Sequence, residues 1–159
     1  MLELPVTFGD LRGDEVAGLD WAGGPSHRGS VTAELVDRDA GLLDYLAVLG
    51  PAGLPIAVGG VRFDRRPDSG TIYQLAVMPQ VQSCGVGSAL IGALEDRARA
   101  RGVSHVDLGV SEGNPRARVL YERLGYAAFA RGTDEWSYRD ETGALVEVVD
   151  PCTLLYKDL

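Results

Sequence analysis

The sequence predicts an α/β fold with a mixed, mostly antiparallel central sheet flanked by helices. Two strand–helix pairs follow one another from position 71, because apolar runs at 71–77 and 103–110 each lead into a segment of helical periodicity. Such a βαβ order places its two strands side by side and parallel. The segments before and after this unit are short apolar runs separated by Gly- and Pro-rich turns, which are typical of antiparallel hairpins. The length of 159 residues fits one domain, residues 1–159.

The N-terminal third has the weakest pattern, because glycines interrupt it repeatedly. Gly13 and Gly18 weaken the one helical segment that precedes position 20. Further on, Ser30 stands where an N-cap would, with Glu34 close behind it. The predicted elements of this third are a strand at 6–8, a helix at 10–19, a loop at 21–26 and a helix at 31–40.

The middle of the chain reads as a hairpin followed by a central strand. Strands are predicted at 44–49 and 54–63 around a turn at 50–53, and a second turn at 65–70 leads into a strand at 71–77. The strongest helical pattern then runs over 86–101, with an apolar face and with Glu95, Asp96 and Arg99 on the opposite face. Gly102 ends this helix as a C′ glycine.

The C-terminal part begins with the second strand of the βαβ unit, at 103–110. Asn114 caps the next helix, Pro115 takes its first position, and Gly125 stops it. The remaining predicted elements are a strand at 126–130, a turn at 140–143 and a strand at 152–157.

The segment between the central strand and the strongest helix is the most informative part of the chain. It reads Gln82-Ser83-Cys84-Gly85-Val86-Gly87-Ser88. A glycine turn at a helix start directs several backbone N–H groups at one point, and the helix dipole favours an anion there. A Walker loop is excluded because no lysine is near, and the dinucleotide fingerprint is excluded because Leu90 stands where its third glycine belongs. A turn that only joins strand to helix is the remaining alternative.

Two motifs identify a family resemblance over positions 56–126. Val77-x-Pro79-x-x-Gln82-x-x-Gly85-x-Gly87 resembles the pyrophosphate-binding motif of the GNAT superfamily of acetyl-CoA-dependent N-acyltransferases. About 30 residues further on, Asn114-Pro115-Arg116-Ala117-x-x-Leu120-Tyr121-Glu122-x-x-Gly125-Tyr126 resembles the helix that carries the tyrosine beside the acyl-CoA sulfur. The first 50 residues carry little of this resemblance.

The resemblance implies a fold, a cosubstrate and a set of site residues. The two central strands would splay apart, and backbone groups of Leu75 and Val77 would pair with the pantetheine arm as an added strand. The Val77 amide would donate to the thioester carbonyl, and Tyr121 would protonate the departing thiolate. The residues implied to bind acetyl-CoA are Leu75, Val77, Gln82, Ser83, Cys84, Gly85, Val86, Gly87, Ser88, Asn114 and Tyr121.

The sequence leaves the identity of the general base open. Relatives carry a glutamate on the central strand six residues before the Val-x-Pro, where this chain has Thr71. Asp64, Asp107, Glu112 and His105 are candidates without a specific pattern, and an ordered water is another route for the proton.

Composition narrows the class of protein. A net charge of −8 disfavours nucleic-acid binding, and no apolar stretch approaches the roughly 20 residues that span a bilayer. Two cysteines and two histidines offer no metal-ligand spacing, and the N-terminal residues lack the basic-then-apolar pattern of a secretion signal. We therefore expect a cytoplasmic, metal-free N-acetyltransferase whose partners are acetyl-CoA and an amine acceptor. A homodimer stays open, and the alternative function is a non-catalytic acyl-CoA-binding sensor or scaffold.

Overall fold

The computed structural model describes residues 5–159, so the first four residues of the predicted domain lie outside the described residues. Within this part, one mixed sheet of seven strands has the order β1-β2-β3-β4-β5-β7-β6. The pair β4–β5 is parallel and every other neighbouring pair is antiparallel. The strands are β1 (Thr7–Asp10), β2 (Leu43–Leu49), β3 (Pro55–Arg62), β4 (Ser69–Val77), β5 (His105–Ser111), β6 (Ala127–Arg139) and β7 (Leu145–Asp158).

Helices cover the sheet on both faces. They are α1 (Gly24–Asp39), α2 (Val86–Arg101) and α3 (Pro115–Arg123), with 3₁₀ segments at Gly13–Ala22 and Pro79–Val81. Buried Leu90, Leu94 and Ala98 of α2 pack on one face, here called the α2 face, which α3 also covers. Buried Val31 and Leu35 of α1 pack on the other face, here called the α1 face, over β2, β3 and β4. The apolar core therefore lies in two layers, one on each side of the sheet.

The two faces can be assigned residue by residue at the start of β4. A β-carbon added at Gly70 would lie 3.5 Å from Ala98 of α2, so Gly70 faces α2. Successive strand residues point to opposite faces. Ser69 and Thr71 therefore point to the α1 face.

The N-terminal predictions were partly wrong. The segment predicted as a helix at 10–19 is a 3₁₀ segment at Gly13–Ala22 with non-helical backbone angles at Leu19, and Asp10 ends β1. Helix α1 begins at Gly24, so Ser30 lies inside it and 21–26 is not a loop. The composition of this stretch suggested a loop, but proline in a first helical turn loses no hydrogen bond and its fixed φ suits a helix.

The remaining element predictions are confirmed, with longer strands at the end. The β2–β3 hairpin, β4, α2, β5 and α3 lie where the pattern placed them, and Gly102 ends α2 in a left-handed conformation, with φ 80°. The β6–β7 hairpin is much longer than predicted, and its paired register runs from Ala127–Tyr156 to Arg139–Leu145. None of the helices found in residues 5–159 is long and apolar enough to cross a lipid bilayer.

Candidate active site

A gap opens between β4 and β5 at the centre of the sheet. Parallel pairing runs from Ser69–His105 to Ile72–Leu108 and ends there. Both strands nevertheless continue, β4 to Val77 and β5 to Ser111. The predicted splaying of the central strands is confirmed. The gap leaves the edge of β4 without a neighbouring strand along its last residues.

A bulge in β4 lies at the start of this gap. The register shifts so that Gln74 and Leu75 together stand opposite Gly59 of β3. Gln74 adopts φ 52°, a left-handed conformation that is rare for a residue other than glycine, and Tyr45 donates a hydrogen bond of 2.9 Å to its side-chain oxygen. A β-carbon at position 59 would lie 2.6 Å from Leu75 Cδ2, so glycine there makes room for the bulge. Bulges bend a strand and end regular pairing, which explains why β4 leaves β5 here.

The backbone of Val77 faces the gap. The Met78 amide donates to the Ile56 carbonyl at 2.8 Å, which makes Ala57–Val77 a non-hydrogen-bonded pair of the β3–β4 ladder. The N–H and C=O of Val77 therefore point away from β3 and toward the gap. Alternation along the strand gives Leu75 the same orientation. Gln82 Nε2 donates to the Val77 carbonyl at 3.1 Å, so its side chain ties the following turn to the end of β4.

The turn before α2 has the geometry of an anion cradle. Ser83 and Gly85 both adopt left-handed conformations, with φ 64° and 83°, and no side chain caps the helix that begins at Val86. A β-carbon added at Gly85 would meet nothing within 4 Å, and one at Gly87 would lie 3.5 Å from Val77 Cγ2. The first-turn amides thus lack a side-chain cap among residues 5–159, and a phosphate group at this helix start would accept their hydrogen bonds.

The other residues of the turn have distinct surroundings. Cys84 is exposed, and its thiol lies 3.7 Å from the Gln82 carbonyl. Arg116 of α3 donates a hydrogen bond to the Ser83 hydroxyl and so brings a positive charge to the turn. Asn114, predicted to bind the cofactor, accepts a hydrogen bond of 3.1 Å from the Ala117 amide. Its side-chain oxygen therefore caps α3, and contact with a cofactor stays a prediction.

Tyr121 lies half-buried on α3 against the α2 face. Its ring packs edge-on against Tyr126, with 6.2 Å between the centroids. Within residues 5–159 its hydroxyl has no hydrogen-bond partner, and burial raises the pKa of Tyr121 above its ordinary value near 10. The hydroxyl therefore keeps its proton at neutral pH, as a general acid must.

A buried carboxylate holds the neighbour of Tyr121 in place. The Tyr126 hydroxyl donates to Glu95 Oε1 at 3.0 Å, and Lys157 Nζ lies 3.0 Å from both oxygens of Glu95. The sequence pattern placed Glu95 on the polar face of α2, and that was wrong, since only 5% of it is exposed. The partners that make its burial tolerable lie on β7 and just after α3, too far along the chain for helical periodicity to reveal.

The four base candidates have very different surroundings. Asp107 accepts hydrogen bonds from Thr71 Oγ1 at 3.1 Å and from Ser69 Oγ at 2.6 Å, so β5 provides a carboxylate beside the threonine. Asp64 pairs with Arg62, whose hydrogen bond lowers the pKa of that carboxyl. His105 lies beside the Ser104 hydroxyl at 3.1 Å, and Glu112 is exposed. Among the four, only Asp107 contacts Thr71.

Comparison with known proteins agrees with this geometry. The model of the Acetyltransferase (GNAT) family matches residues 19–126, more than half of the chain. A mycothiol acetyltransferase of Beutenbergia cavernae is 47% identical over 66 residues, which cover 40% of this chain. The matched regions span between 22% and 40% of the length of the curated relatives.

Two solved structures share the fold over nearly all of the chain. The ribosomal-protein-S18-alanine N-acetyltransferase of Escherichia coli superposes with a TM-score of 0.72 at 19% identity, covering 97% of this chain and 94% of its own. A phosphinothricin acetyltransferase of Sinorhizobium meliloti in complex with AcCoA gives 0.71 at 15% identity, covering 97% and 88%. The gap between β4 and β5, the uncapped start of α2 and the family match together establish that the chain belongs to the GNAT acetyltransferase family.

Proposed function

We propose that this chain transfers an acetyl group from acetyl-CoA to a primary amine of a small molecule or a protein. The amine attacks directly while both substrates are bound. The observation that carries the proposal is the gap between β4 and β5, which opens beside the uncapped N-terminus of α2. It combines an unpaired strand edge with an anion cradle, and CoA contains both an amide-bearing arm and a pyrophosphate.

The backbone provides most of the proposed cofactor contacts. Leu75 and Val77 pair with the pantetheine amides in the manner of an added strand. The turn from Gln82 to Ser88 binds the pyrophosphate through its amides, and Arg116 beside Ser83 adds a positive charge. Cys84 lies on the same turn, with its thiol exposed rather than facing a catalytic histidine.

Three groups of this chain carry the proposed chemistry. The open edge of β4 and the cradle hold acetyl-CoA in place, which lowers the entropic barrier to attack by the amine. The Val77 amide donates to the carbonyl oxygen as negative charge develops on it. Tyr121 donates its proton to the sulfur as the carbon–sulfur bond breaks, and it regains a proton that the new amide nitrogen loses.

The relatives suggest two acceptor classes. One is named for mycothiol and another for an alanine of a ribosomal protein, so the names include both mycothiol and a protein acceptor. The net charge of −8 favours a cationic acceptor through long-range attraction. A location in the cytoplasm remains part of the proposal.

Release of free thiol from acetyl-CoA across a panel of amines tests the proposed function. We expect thiol release that depends on a primary amine, together with a product heavier by one acetyl group in mass spectrometry. The non-catalytic alternative predicts tight CoA binding without release of free thiol in the presence of any amine. That result would reject the proposal that this chain is an enzyme.

A further inference from the structure

A cavity of about 430 Å³ lies on the α1 face, beside the part of the sheet where β4 and β5 still pair. Asp107 lies on its floor, and the rings of Phe129 and Tyr156 form a wall, edge to face with 5.7 Å between centroids. Both residues are partly exposed, with exposed fractions of 44% and 39%. Asp158 also lines the cavity. Two aromatic rings and two carboxylates together form a site that favours an organic cation.

The protein's own Arg66 occupies this position. Its guanidinium carbon lies 5.4 Å from the centre of the Phe129 ring, and its Nε lies 3.3 Å from Asp107 Oδ1. Arg66 extends from the turn between β3 and β4, and its side chain is 44% exposed. An aromatic face on one side and a carboxylate on the other are the contacts that an alkylammonium group would make in its place.

Asp107 remains supported when Arg66 leaves. Ser69 and Thr71 donate hydrogen bonds to it from within the sheet, independently of the loop arginine. These two hydroxyls therefore hold the Asp107 carboxylate in place beside the cavity, whichever cation lies against it.

The cavity adjoins the closed end of the gap. The Thr71–Asp107 pair is one step before Ile72–Leu108, where pairing ends. The six steps from Thr71 to Val77 on β4 lie opposite only five steps of β3, because of the bulge. At about 3.3 Å per step, the Val77 amide lies roughly 16 Å further along β4. A cation held at Asp107 is thus separated from the thioester by about the length of an extended twelve-carbon diamine.

We propose that this cavity binds a second, positively charged group of the acceptor, and that Arg66 fills it when no acceptor is present. The inference rests on the proposed function, and it specifies the acceptor class as diamines or basic peptides. An ammonium held by a fixed carboxylate stays protonated and cannot be the nucleophile, so the other amine of the molecule attacks. Displacement of Arg66 breaks one ion pair and forms an equivalent one, so charge is conserved.

Calorimetric binding of 1,12-diaminododecane and of the uncharged 1,8-octanediol to the CoA-loaded protein tests the site without turnover. Because Arg66 competes with the ligand, Arg66→Ala should tighten binding of the diamine by about tenfold, whereas Asp107→Asn and Phe129→Leu should weaken it by about tenfold. The diol carries no cation and should not discriminate among these variants. Arg65→Ala is the matched control, because it removes a loop arginine that stacks on Tyr73 outside this cavity.

The sign of the change in diamine affinity in Arg66→Ala distinguishes a cation-binding site from an ion pair that only stabilises the fold. If Arg66 and Asp107 only stabilise the fold, the variant melts at lower temperature and binds the diamine no better than the wild type, which would overturn the inference. Arg66→Ala and Phe129→Leu change exposed side chains. Their effects on diamine binding can therefore still be measured if Asp107→Asn does not fold. Diamine binding without any acetyl transfer would reject the proposed function and leave the cation site standing.

Discussion

The hydroxyl of Tyr121 differs from those of the other buried tyrosines. Tyr45 donates to Gln74, Tyr73 to Glu34 and Tyr126 to Glu95. Tyr121 has no such acceptor among residues 5–159, although burial raises its pKa as it does for the others. Buried polar groups are nearly always paired, so a half-buried hydroxyl without a protein partner is suited to meet a ligand.

Tyr121→Phe is the first test at this scale. The ring still packs on Tyr126, and only the proton donor is lost. We expect kcat to fall by about 10²–10⁴-fold, with kcat/KM falling in parallel, because the interaction exists only in the transition state. The free energy of unfolding should change by less than about 0.5 kcal/mol, since the hydroxyl has no protein partner to lose. Steady-state kinetics and urea unfolding measure the two quantities.

The control is Tyr138→Phe, which removes an exposed tyrosine hydroxyl on β6. It should leave kcat unchanged. Burial raises the pKa of Tyr121, so the hydroxyl keeps its proton through neutral pH. On the alkaline side of the pH profile, kcat should therefore decline only above about pH 10. Wild-type turnover by Tyr121→Phe, with chemistry limiting, would remove the acid role.

At the level of single residues, the sequence pointed to residues that stand in local motifs, but it gave no sign of contacts between residues far apart along the chain. Tyr121 and Gly85 stand in local motifs, so spacing along the chain is enough to predict a role for them, and that role stays a prediction. The contact between Arg66 and Asp107 joins a loop to a strand 41 positions away, and no periodicity encodes it. Gln74 carries no signal for a left-handed conformation, because its bulge depends on Gly59 across the ladder.

Among the elements, α2 is the one whose first turn is proposed to bind the CoA pyrophosphate. Gly87→Val tests this, because a β-carbon there meets only Val77 Cγ2, at an ordinary 3.5 Å, so the added methyl groups should project toward the bound pyrophosphate. We expect the Kd for CoA to rise by at least about tenfold in calorimetry, equivalent to about 1.4 kcal/mol. Gly85→Val should do the same, with additional backbone strain because its φ is 83°.

Gly92→Val is the matched control for the helix. It lies in α2, where an added β-carbon meets nothing within 4 Å, and it is away from the turn. Its cost to helix stability should resemble that of Gly87→Val, while CoA affinity stays at the wild-type value. Equal CoA affinity in all three variants would show that the turn only joins strand to helix.

The elements also show where sequence patterns reach their limit. Helices α2 and α3 were predicted well because each has a clear start or stop residue, such as Asn114 and Gly102. The start of α1 was missed because Gly and Pro usually signal loops, and only the position of the proline within the first turn reverses that meaning. The end of β4–β5 pairing is a tertiary property that neither strand encodes alone.

For the whole molecule, buried tyrosines predict alkaline sensitivity. Burial is the largest cause that raises the pKa values of Tyr45, Tyr73, Tyr121 and Tyr126. Below about pH 10 both the native and the unfolded chain keep these protons, so the native state loses nothing. Above it, the unfolded chain releases protons that the native state retains, and unfolding becomes easier.

We therefore expect urea unfolding midpoints that are constant from pH 7.5 to 9 and fall by pH 11. One such tyrosine alone lowers the free energy of unfolding by about 1.4 kcal/mol at pH 11. Tyr126→Phe should reduce the slope, because it removes one of the four groups. A midpoint that stays level to pH 11 would contradict the burial of these hydroxyls.

The short pairing between β4 and β5 has a consequence for hydrogen exchange. Within residues 5–159, strand pairing between the β1–β4 part of the sheet and the part formed by β5, β7 and β6 is limited to the pairs from Ser69–His105 to Ile72–Leu108. In the free protein, the amides of Leu75 and Val77 should therefore exchange with deuterium quickly. Bound CoA should protect them, and at 100 times its Kd it should add about 2.7 kcal/mol to the stability of the fold. Equal exchange at Leu75 and Val77 with and without CoA would contradict this. If CoA protects them, the cosubstrate acts as the missing strand of the sheet to which it binds.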